Sequence, residues 1–212
     1  KQFNCKTSTY GKDFEAKNFN SSFLFKAKKK KTILPLPLLK GNHQIENAAV
    51  SIAALKELKC RKKNLTDALI KVSWPGRLQK IDNGKLISKN SQLNGEIFLD
   101  GGHNNSAGIA LSKWVKNLKD IKFYIIIGMM NNKSIEGFLK PIKPYIYKLL
   151  AIKIPNQKNS YDAQDIFEIS KSLDINSQVT NSLEKALQII SLEKTSLPKK
   201  TLITGSLYLV GS

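Results

Sequence analysis

The second half of the chain alternates short apolar runs with stretches in which apolar residues recur every three or four positions. Short apolar runs bounded by turn residues predict buried parallel strands. Apolar residues that recur every three or four positions predict amphipathic helices. From residue 96 onward the pattern predicts strands at 97–99, 122–128, 148–153, 178–180 and 200–204, and helices at 106–118, 135–140, 162–172, 182–191 and from 207 onward. This alternation is typical of an α/β fold, a Rossmann-like, mostly parallel sheet with helices on both faces.

The first part of the chain has a different pattern. Residues 1–34 predict short strands and turns, with strand-like content at 10–14 and 22–25, and the two prolines within 33–38 require extended backbone at a sheet edge. Helices are predicted from 41–47 onward and at 65–72, and a hairpin at 78–87 that turns at 82–84. Because Pro75-Gly76 is a turn signal, we predict two domains, 1–73 and 74–212.

Composition narrows the classes of partner. The chain has 212 residues and a formal charge of +19, but its dense basic runs are confined to 28–31 and 61–63 and have no interleaved aromatic residues. We therefore expect no nucleic-acid partner, and interpret most lysines as a solvated surface whose field attracts anionic ligands. No apolar run reaches about 18 residues, so no membrane span is predicted. Cys5 and Cys60 form no metal or redox motif.

The stretch Asp100-Gly101-Gly102-His103 places an acid and an imidazole between a predicted strand and a predicted helix. Ligands of open α/β sheets bind at the carboxyl ends of strands. Polar side chains are expected at this edge after three of the strands, namely Asp100, His103, Asn131, Lys133 and Ser206. The alternative for Asp100 and His103 is a capped helix turn with an ion pair.

Two further candidates lie earlier in the chain. His43 and Asn47 are four residues apart at the start of a predicted helix and share one face of it, where they either cap the helix or contact a nucleotide. Arg77 is either a structural ion-pair partner or a phosphate clamp, because a guanidinium matches phosphate geometry. No Gly-x-x-x-x-Gly-Lys-Ser/Thr loop occurs in the sequence, so a main phosphate-binding loop is expected outside it.

Five short motifs recur in the order of a known family. They are Leu36-Pro37-Leu38-Leu39-Lys40-Gly41-Asn42-His43-Gln44 with Asn47-Ala48-Ala49, Trp74-Pro75-Gly76-Arg77-Leu78, Leu99-Asp100-Gly101-Gly102-His103-Asn104, Gly128-Met129-Met130 with Lys133, and Gly205-Ser206-Leu207-Tyr208. Together they resemble folylpolyglutamate synthase/dihydrofolate synthase, of the Mur ligase superfamily, over essentially the whole chain. The resemblance implies a cytoplasmic, monomeric ligase that uses ATP and Mg²⁺ to join L-glutamate to dihydropteroate or to a folate tail through an acyl phosphate.

The resemblance also implies roles for individual residues. Asn47, Arg77 and Asp100 would contact ATP, and Asp100 and His103 would be catalytic. His103, Lys133 and Ser206 would lie on the glutamate side. Residues 1–73 would end the ATP-binding domain and 74–212 would form the glutamate ligase domain. The phosphate-binding loop, folate loops and Mg²⁺ ligands would belong to an N-terminal half that is not in this sequence, so we expect the 212-residue piece alone to be inactive.

The chain departs from the family pattern in two places. Asn105 replaces a proline after His-Asn, and we expect it to cap the following helix. The family's Met-x-Asp-Lys-Asp becomes Met130-Asn131-Asn132-Lys133-Ser134, which keeps the lysine and loses both acids. A role of those acids in positioning glutamate or the lysine would therefore be lost.

Two other functions remain open from the sequence. One is another amino-acid ligase of the same superfamily, although peptidoglycan-precursor ligases tend to carry Asp-Tyr-Ala-His where this chain has 100–103. The other is a non-catalytic binding module or degenerate copy that keeps the fold without the chemistry. The sequence also leaves open whether one or both folate ligations take place.

Overall fold

The structure, a computed structural model, describes residues 5, 7–28, 30–39, 41–84, 88 and 95–211. The chain divides between Trp74 and Pro75 into two compact units, 1–74 and 75–212. Each unit is described by itself below.

The first unit is a three-stranded antiparallel sheet packed against helices. Its elements are β1 Phe14–Phe19, β2 Ser22–Ala27, β3 Lys30–Pro35, α1 His43–Glu57 and α2 Lys62–Lys71. Phe23 and Phe25 of β2 are fully buried, and Ala49 and Ile52 of α1 pack in the same core. The order β1-β2-β3 places β3, which ends at Pro35, at an edge of the sheet that the structure describes, as the proline predicts. The expectation of a strand over 10–13 is wrong, because residues 11–13 form a turn closed by the Gly11 N–H bond to Phe14 O.

The second unit is a six-stranded sheet in the order β4-β5-β9-β6-β7-β8. Its strands are β4 Gln79–Ile81, β5 Gly95–Asp100, β6 Lys122–Ile127, β7 Lys148–Ala151, β8 Ser177–Val179 and β9 Lys199–Thr204. Its helices are α3 Asn105–Lys116, α4 Ile135–Leu139, the 3₁₀ turn Lys143–Tyr145, α5 Ala163–Ser172, α6 Leu183–Leu192 and α7 Leu207–Val210. β5 to β9 run parallel and β4 pairs antiparallel with β5, which confirms the predicted mostly parallel α/β fold.

Apolar side chains cover both faces of this sheet. On β6, Phe123, Ile125 and Ile127 enter one core together with residues of α3, α4 and α5. Tyr124 and Ile126 enter a second core with residues of α6 and α7. A strand buried on both faces has to be apolar along its whole length, which explains the continuous run from Phe123.

The structure describes only the first strand of the predicted hairpin at 78–87. Residues 79–81 form β4 and pair with β5, with Gln79 opposite Leu99 and Ile81 opposite Ile97. Residues 85–87, the second strand of that hairpin, lie outside the described residues. Among the helices that the structure describes, none is long and apolar enough to cross a membrane.

Candidate functional site at the carboxyl ends of the strands

Asp100 is the last residue of β5 and is 8% exposed. Its Oδ1 accepts the Gly102 N–H at 2.8 Å, and its Oδ2 accepts the Leu78 N–H at 2.9 Å. A buried carboxylate requires such partners, because an unpaired charge away from water is costly. Asp100 therefore joins two backbone segments, the turn after β5 and the segment that precedes β4.

The segment that precedes β4 carries Arg77 between two anchored neighbours. Gly76 has φ +70° and its carbonyl accepts the Gly101 N–H at 2.8 Å, while Leu78 has φ +45° and donates its N–H to Asp100. A leucine in the left-handed region is strained, and such strain persists where surrounding contacts hold it. Arg77 itself is exposed, and none of the ion pairs between described residues involves it. The alternative of a structural ion pair thus has no support among the described residues.

The end of β9 is bonded to the same turn. The Gly205 N–H and the Thr204 hydroxyl both donate to Gly102 O, at 3.1 and 3.3 Å. A Cβ on Gly102 would lie 2.7 Å from Asp100 Oδ1, so a larger residue would disturb the carboxylate. These contacts bring the ends of β5 and β9 together, as expected for neighbouring parallel strands.

His103 and Asn104 complete the turn. His103 is half-buried and its Nδ1 lies 3.0 Å from Gly101 O. Because a carbonyl oxygen only accepts, this bond requires the proton on Nδ1 and leaves Nε2 for a ligand. Asn104 caps α3 by accepting the Ala107 N–H at 2.9 Å. The expectation that Asn105 is the cap is wrong, since Asn105 lies inside α3 and donates to Gly137 O.

Ser206 follows β9 and is 3% exposed. Its Oγ accepts the Tyr208 N–H at 3.1 Å and so caps the short helix α7. Leu207 packs against Gly101, where a Cβ would lie 2.3 Å from a leucine methyl carbon. Ser206 is therefore held beside the turn that carries Asp100 and His103.

Lys133 lies after β6, the strand on the other side of β9. Its backbone is bonded to Met130 and Tyr161 rather than to the Asp100 turn. Lys133 is half-buried and takes part in none of the ion pairs between described residues. Asn131 is exposed and donates its N–H to Asn159 O. Ser134 caps α4, with its Oγ accepting the Gly137 N–H at 3.0 Å.

Asn47 belongs to the first unit and is exposed in the second turn of α1. Its side-chain amide donates to Gln44 Oε1 at 3.1 Å, and Gln44 Nε2 lies 2.9 Å from His43 Nε2. His43, Gln44 and Asn47 thus form one polar chain along the start of the helix. Lys40, which belongs to the same motif, lies outside the described residues.

A cavity of about 830 Å³ also lies in the first unit. It is lined by the last turns of α1, including Ala53 and Lys56, rather than by the turn that holds Asn47. The polar chain of His43, Gln44 and Asn47 therefore does not line this cavity.

No group of three or more His, Cys, Asp and Glu side chains able to hold a metal ion occurs among the described residues. The two cationic residues at the strand ends, Arg77 and Lys133, lie on backbone that is held by hydrogen bonds. Such an edge suits an anionic ligand better than a metal ion held by protein carboxylates.

Two supporting residues were missed from the sequence. Thr204 is fully buried and bonds to Gly102 O, and the Tyr161 hydroxyl donates to Lys133 O at 3.1 Å. Each contact joins residues at least 28 positions apart, so no local pattern reveals it.

The chain also resembles known proteins in sequence. Residues 79–212 match the family described as "Dihydrofolate synthetase, C-terminal domain". The dihydrofolate synthetase of Saccharomyces cerevisiae (strain ATCC 204508 / S288c) is 26% identical over 187 residues, which cover 82% of this chain and 43% of that protein.

Solved structures share the fold. E. coli FolC in complex with DHPP and ADP superposes with a TM-score of 0.77 at 20% identity, covering 95% of this chain and 45% of that one. The bifunctional folylpolyglutamate synthase/dihydrofolate synthase of Yersinia pestis, complexed with AMPPNP and a Mn ion, gives a TM-score of 0.76 at 17% identity, covering 95% and 45%.

The chain spans less than half the length of these relatives. The family match extends from β4 to the end of α7 and includes Asp100, His103, Lys133 and Ser206. The chain therefore belongs to the dihydrofolate synthetase family, whose C-terminal domain its residues 79–212 match.

Proposed function

We propose that the protein containing this chain is an ATP-dependent ligase that joins L-glutamate to dihydropteroate or to a folate glutamate tail. The family match supports the folate branch over peptidoglycan-precursor ligases. The observation that carries the proposal is the exposed Arg77, held on a turn that the buried carboxylate of Asp100 fixes to the carboxyl end of the sheet. An arginine without a carboxylate partner on a rigid turn suits a phosphate-bearing substrate.

The chemistry that we propose has two steps. The γ-phosphoryl group of ATP passes to the acceptor carboxylate, which gives an acyl phosphate and ADP. The glutamate amine then attacks the acyl carbon, phosphate leaves with the bonding electrons, and the amine loses a proton as the amide forms. Activation is needed because a free carboxylate is a poor electrophile, and cations near the phosphates offset the charge that moves.

Each of the candidate site residues has a role in this proposal. Arg77 binds ATP phosphates, and Asp100 holds the Arg77 turn while contacting ATP from the strand end. His103 presents Nε2 toward the reacting phosphate and glutamate. Lys133 and Ser206 bind glutamate. Asn47 contacts the nucleotide from residues 1–73, which we assign to the end of an ATP-binding domain, and 74–212 form the glutamate ligase domain.

A divalent ion is part of the proposed reaction, with Mg²⁺ as the expected species. The described residues of this chain present no carboxylate cluster that fits it, so we assign it no ligand here and derive no step from it. When bound, such an ion would neutralise phosphate charge. Location in the cytoplasm and the monomeric state stay predictions.

The departures around Lys133 are compatible with a working site. Ser134 retains the helix-capping function that an acid would have at that position. Asn132 is exposed and neutral, and Lys133 has no ion pair with a described residue, so its charge is available to a ligand. The loss of both acids therefore does not by itself indicate a degenerate copy.

The test is ADP release by the full-length protein with ATP, Mg²⁺, L-glutamate and either dihydropteroate or tetrahydrofolate. We expect release to require glutamate together with one acceptor, and the active acceptor identifies the ligation. Arg77→Ala should raise the KM for ATP about 10- to 100-fold, since a charge-assisted hydrogen bond contributes about 1.5–3 kcal/mol. The sequence contains two arginines, so Arg61→Ala, which is also exposed, is the matched control and should leave KM unchanged.

ADP release that does not depend on any pterin acceptor would contradict the proposal, as would equal effects of the two arginine variants. The 212-residue chain assayed alone should give no turnover, because its sequence contains no phosphate-binding loop. Turnover by that chain would refute this part of the proposal.

A further inference from the structure

We infer that Tyr161 is a positioning residue for Lys133, and through it a determinant of glutamate affinity. The inference rests on the proposed function, in which Lys133 binds glutamate, and names a residue outside all five motifs. Its basis is the contact between two loops that follow different strands of the sheet.

The loop 128–134 connects β6 with α4 and is pinned along its length by the segment 157–161. Asn131 N–H donates to Asn159 O at 2.9 Å, and Tyr161 N–H donates to Met129 O at 2.9 Å. Met130 and Ser160 form an isolated antiparallel bridge between these bonds. The two segments thus pair as a miniature antiparallel ribbon at the carboxyl end of β6.

The Tyr161 hydroxyl adds a bond that the backbone cannot supply. It donates to Lys133 O at 3.1 Å, while Lys133 N–H donates to Met130 O at 3.0 Å. Both backbone polar groups of Lys133 are therefore occupied, and the next residue, Ser134, caps α4. A lysine side chain has four rotatable bonds, so fixing its backbone is the means by which the fold limits where the ammonium group can reach.

The Tyr161 ring is itself held in place. It packs against the core that contains Met129 and Phe138, both fully buried. Tyr161 is also followed by Asp162, the N-cap of α5, which ties its backbone to the start of that helix. A rigid aromatic ring with a hydroxyl at its tip is well suited to reach a carbonyl in a neighbouring loop.

The charge of Lys133 makes the position of its backbone important for binding an anionic ligand. Lys133 has no acidic partner among the described residues, and the neighbouring Asn131, Asn132 and Ser134 are neutral. An ammonium group without a protein carboxylate relies on its backbone for placement and on the ligand for its counter-charge. Displacing that backbone should therefore weaken binding of an anionic amino acid more than binding of ATP.

The experiment compares Tyr161→Phe with Tyr124→Phe in the full-length protein. Tyr124 is a suitable control because it lies near the amino end of β6, on the face of the sheet that α6 covers. Its hydroxyl donates a hydrogen bond to Glu193. Tyr161→Phe should raise the KM for L-glutamate about three- to tenfold, the range of one neutral hydrogen bond, with kcat and the KM for ATP within twofold of wild type. Tyr124→Phe should lower the melting temperature without changing either KM.

Hydrogen exchange supplies a second readout. Amides of residues 129–134 should exchange faster in Tyr161→Phe and at the wild-type rate in Tyr124→Phe. An unchanged KM for glutamate in an active Tyr161→Phe enzyme overturns the inference alone, as does a parallel rise in both KM values. A wild-type protein without glutamate-dependent ADP release overturns the proposed function, and this inference fails with it.

Discussion

The amino ends of the strands and the turns that follow β5 and β6 handle charge in opposite ways. At the amino ends of β6, β7 and β9, charged groups neutralise one another: Lys148 Nζ lies 2.5 Å from Glu193 Oε1, and the Tyr124 hydroxyl bonds to Glu193 Oε2 at 3.3 Å. Lys199, 4% exposed, donates to the carbonyls of Ile190 and Ser191 at the end of α6. Burial and then the Glu193 carboxylate raise the pKa of the Tyr124 hydroxyl above its ordinary value of 10.0.

In the turn after β5 and the loop after β6, by contrast, the polar groups are bonded to backbone. Asp100 accepts two backbone N–H groups, His103 contacts Gly101 O, and neither Arg77 nor Lys133 has an acidic partner among the described residues. The backbone that carries Arg77 and Lys133 is thus held by hydrogen bonds, and neither cationic group has an ion pair with a described residue. A network that neutralises itself stabilises a fold, whereas cations without a protein counter-charge are available to an anionic ligand.

The largest expected effect comes from removing the anchor at the carboxyl end. Asp100→Ala leaves the Leu78 and Gly102 N–H groups without their acceptor, and should lower the free energy of unfolding by about 3 kcal/mol, at about 1–3 kcal/mol for each orphaned group. ADP release should fall more than about 100-fold, because the Arg77 turn loses its attachment. Urea unfolding and the ADP assay measure the two effects on the same preparation.

Asp100→Asn is the matched comparison. Its amide offers one acceptor oxygen where the carboxylate offers two, so it should keep one of the two backbone bonds and lose about half as much stability. Equal stability of the alanine variant and wild type would show that the carboxyl end does not depend on Asp100, and the contrast between the two ends would be lost.

A smaller effect is expected from the amino end. Glu193→Gln removes the charge that pairs with Lys148 and keeps the size of the side chain, and should cost about 1 kcal/mol, since the pair is partly exposed and is screened by solvent. Thermal unfolding measures this change. The KM values for ATP and glutamate should stay within twofold of wild type, because Glu193 lies near the amino ends of the strands and the candidate site lies at their carboxyl ends. A tenfold change in either KM would break the separation between a structural end and a ligand-binding end.

The buried elements of the second unit follow from local pattern. The apolar run from Phe123 and the periodic residues of α3 could each be assigned without knowing their partners, because burial alone imposes these patterns. Ser134 could be recognised as a cap for a similar reason, since a hydroxyl residue directly before an apolar helix satisfies its first N–H groups. The candidate roles of the site residues came from the family resemblance, which rests on the order of the motifs and not on hydrophobic periodicity.

What the sequence does not reveal depends on non-local pairing or on small backbone differences. The pairing of residues 79–81 with β5 joins segments that are far apart in the chain, and no local pattern predicts it. Asn104 and Asn105 are chemically identical caps, and the choice of Asn104 comes from its extended backbone, with φ −143°. The hydrogen bond between Leu78 and Asp100 joins residues 22 positions apart, and the bond between Tyr161 and Lys133 joins residues 28 positions apart. No local sequence pattern predicts either bond.

The smallest expected effect concerns Lys199. It tests whether burial or the Glu193 carboxylate sets the charge state of this lysine at the amino ends of the strands. Burial lowers the pKa of the Lys199 ammonium below 10.5, and the Glu193 carboxylate counteracts part of that shift. Between the lowered pKa and 10.5 the unfolded chain binds more protons at this site than the native protein does, so Lys199 makes stability rise with pH across that window.

Lys199→Met removes this titration and keeps most of the apolar side chain. The free energy of unfolding of wild type minus that of the variant should therefore increase from neutral pH toward pH 10.5, as measured by urea unfolding at a series of pH values. Subtracting the variant removes the titration of the other lysines and tyrosines, which both proteins share. A difference that falls as pH rises would mean that the native protein holds the Lys199 proton more tightly than the unfolded chain does, and that Glu193 rather than burial sets the charge state at this end of the sheet.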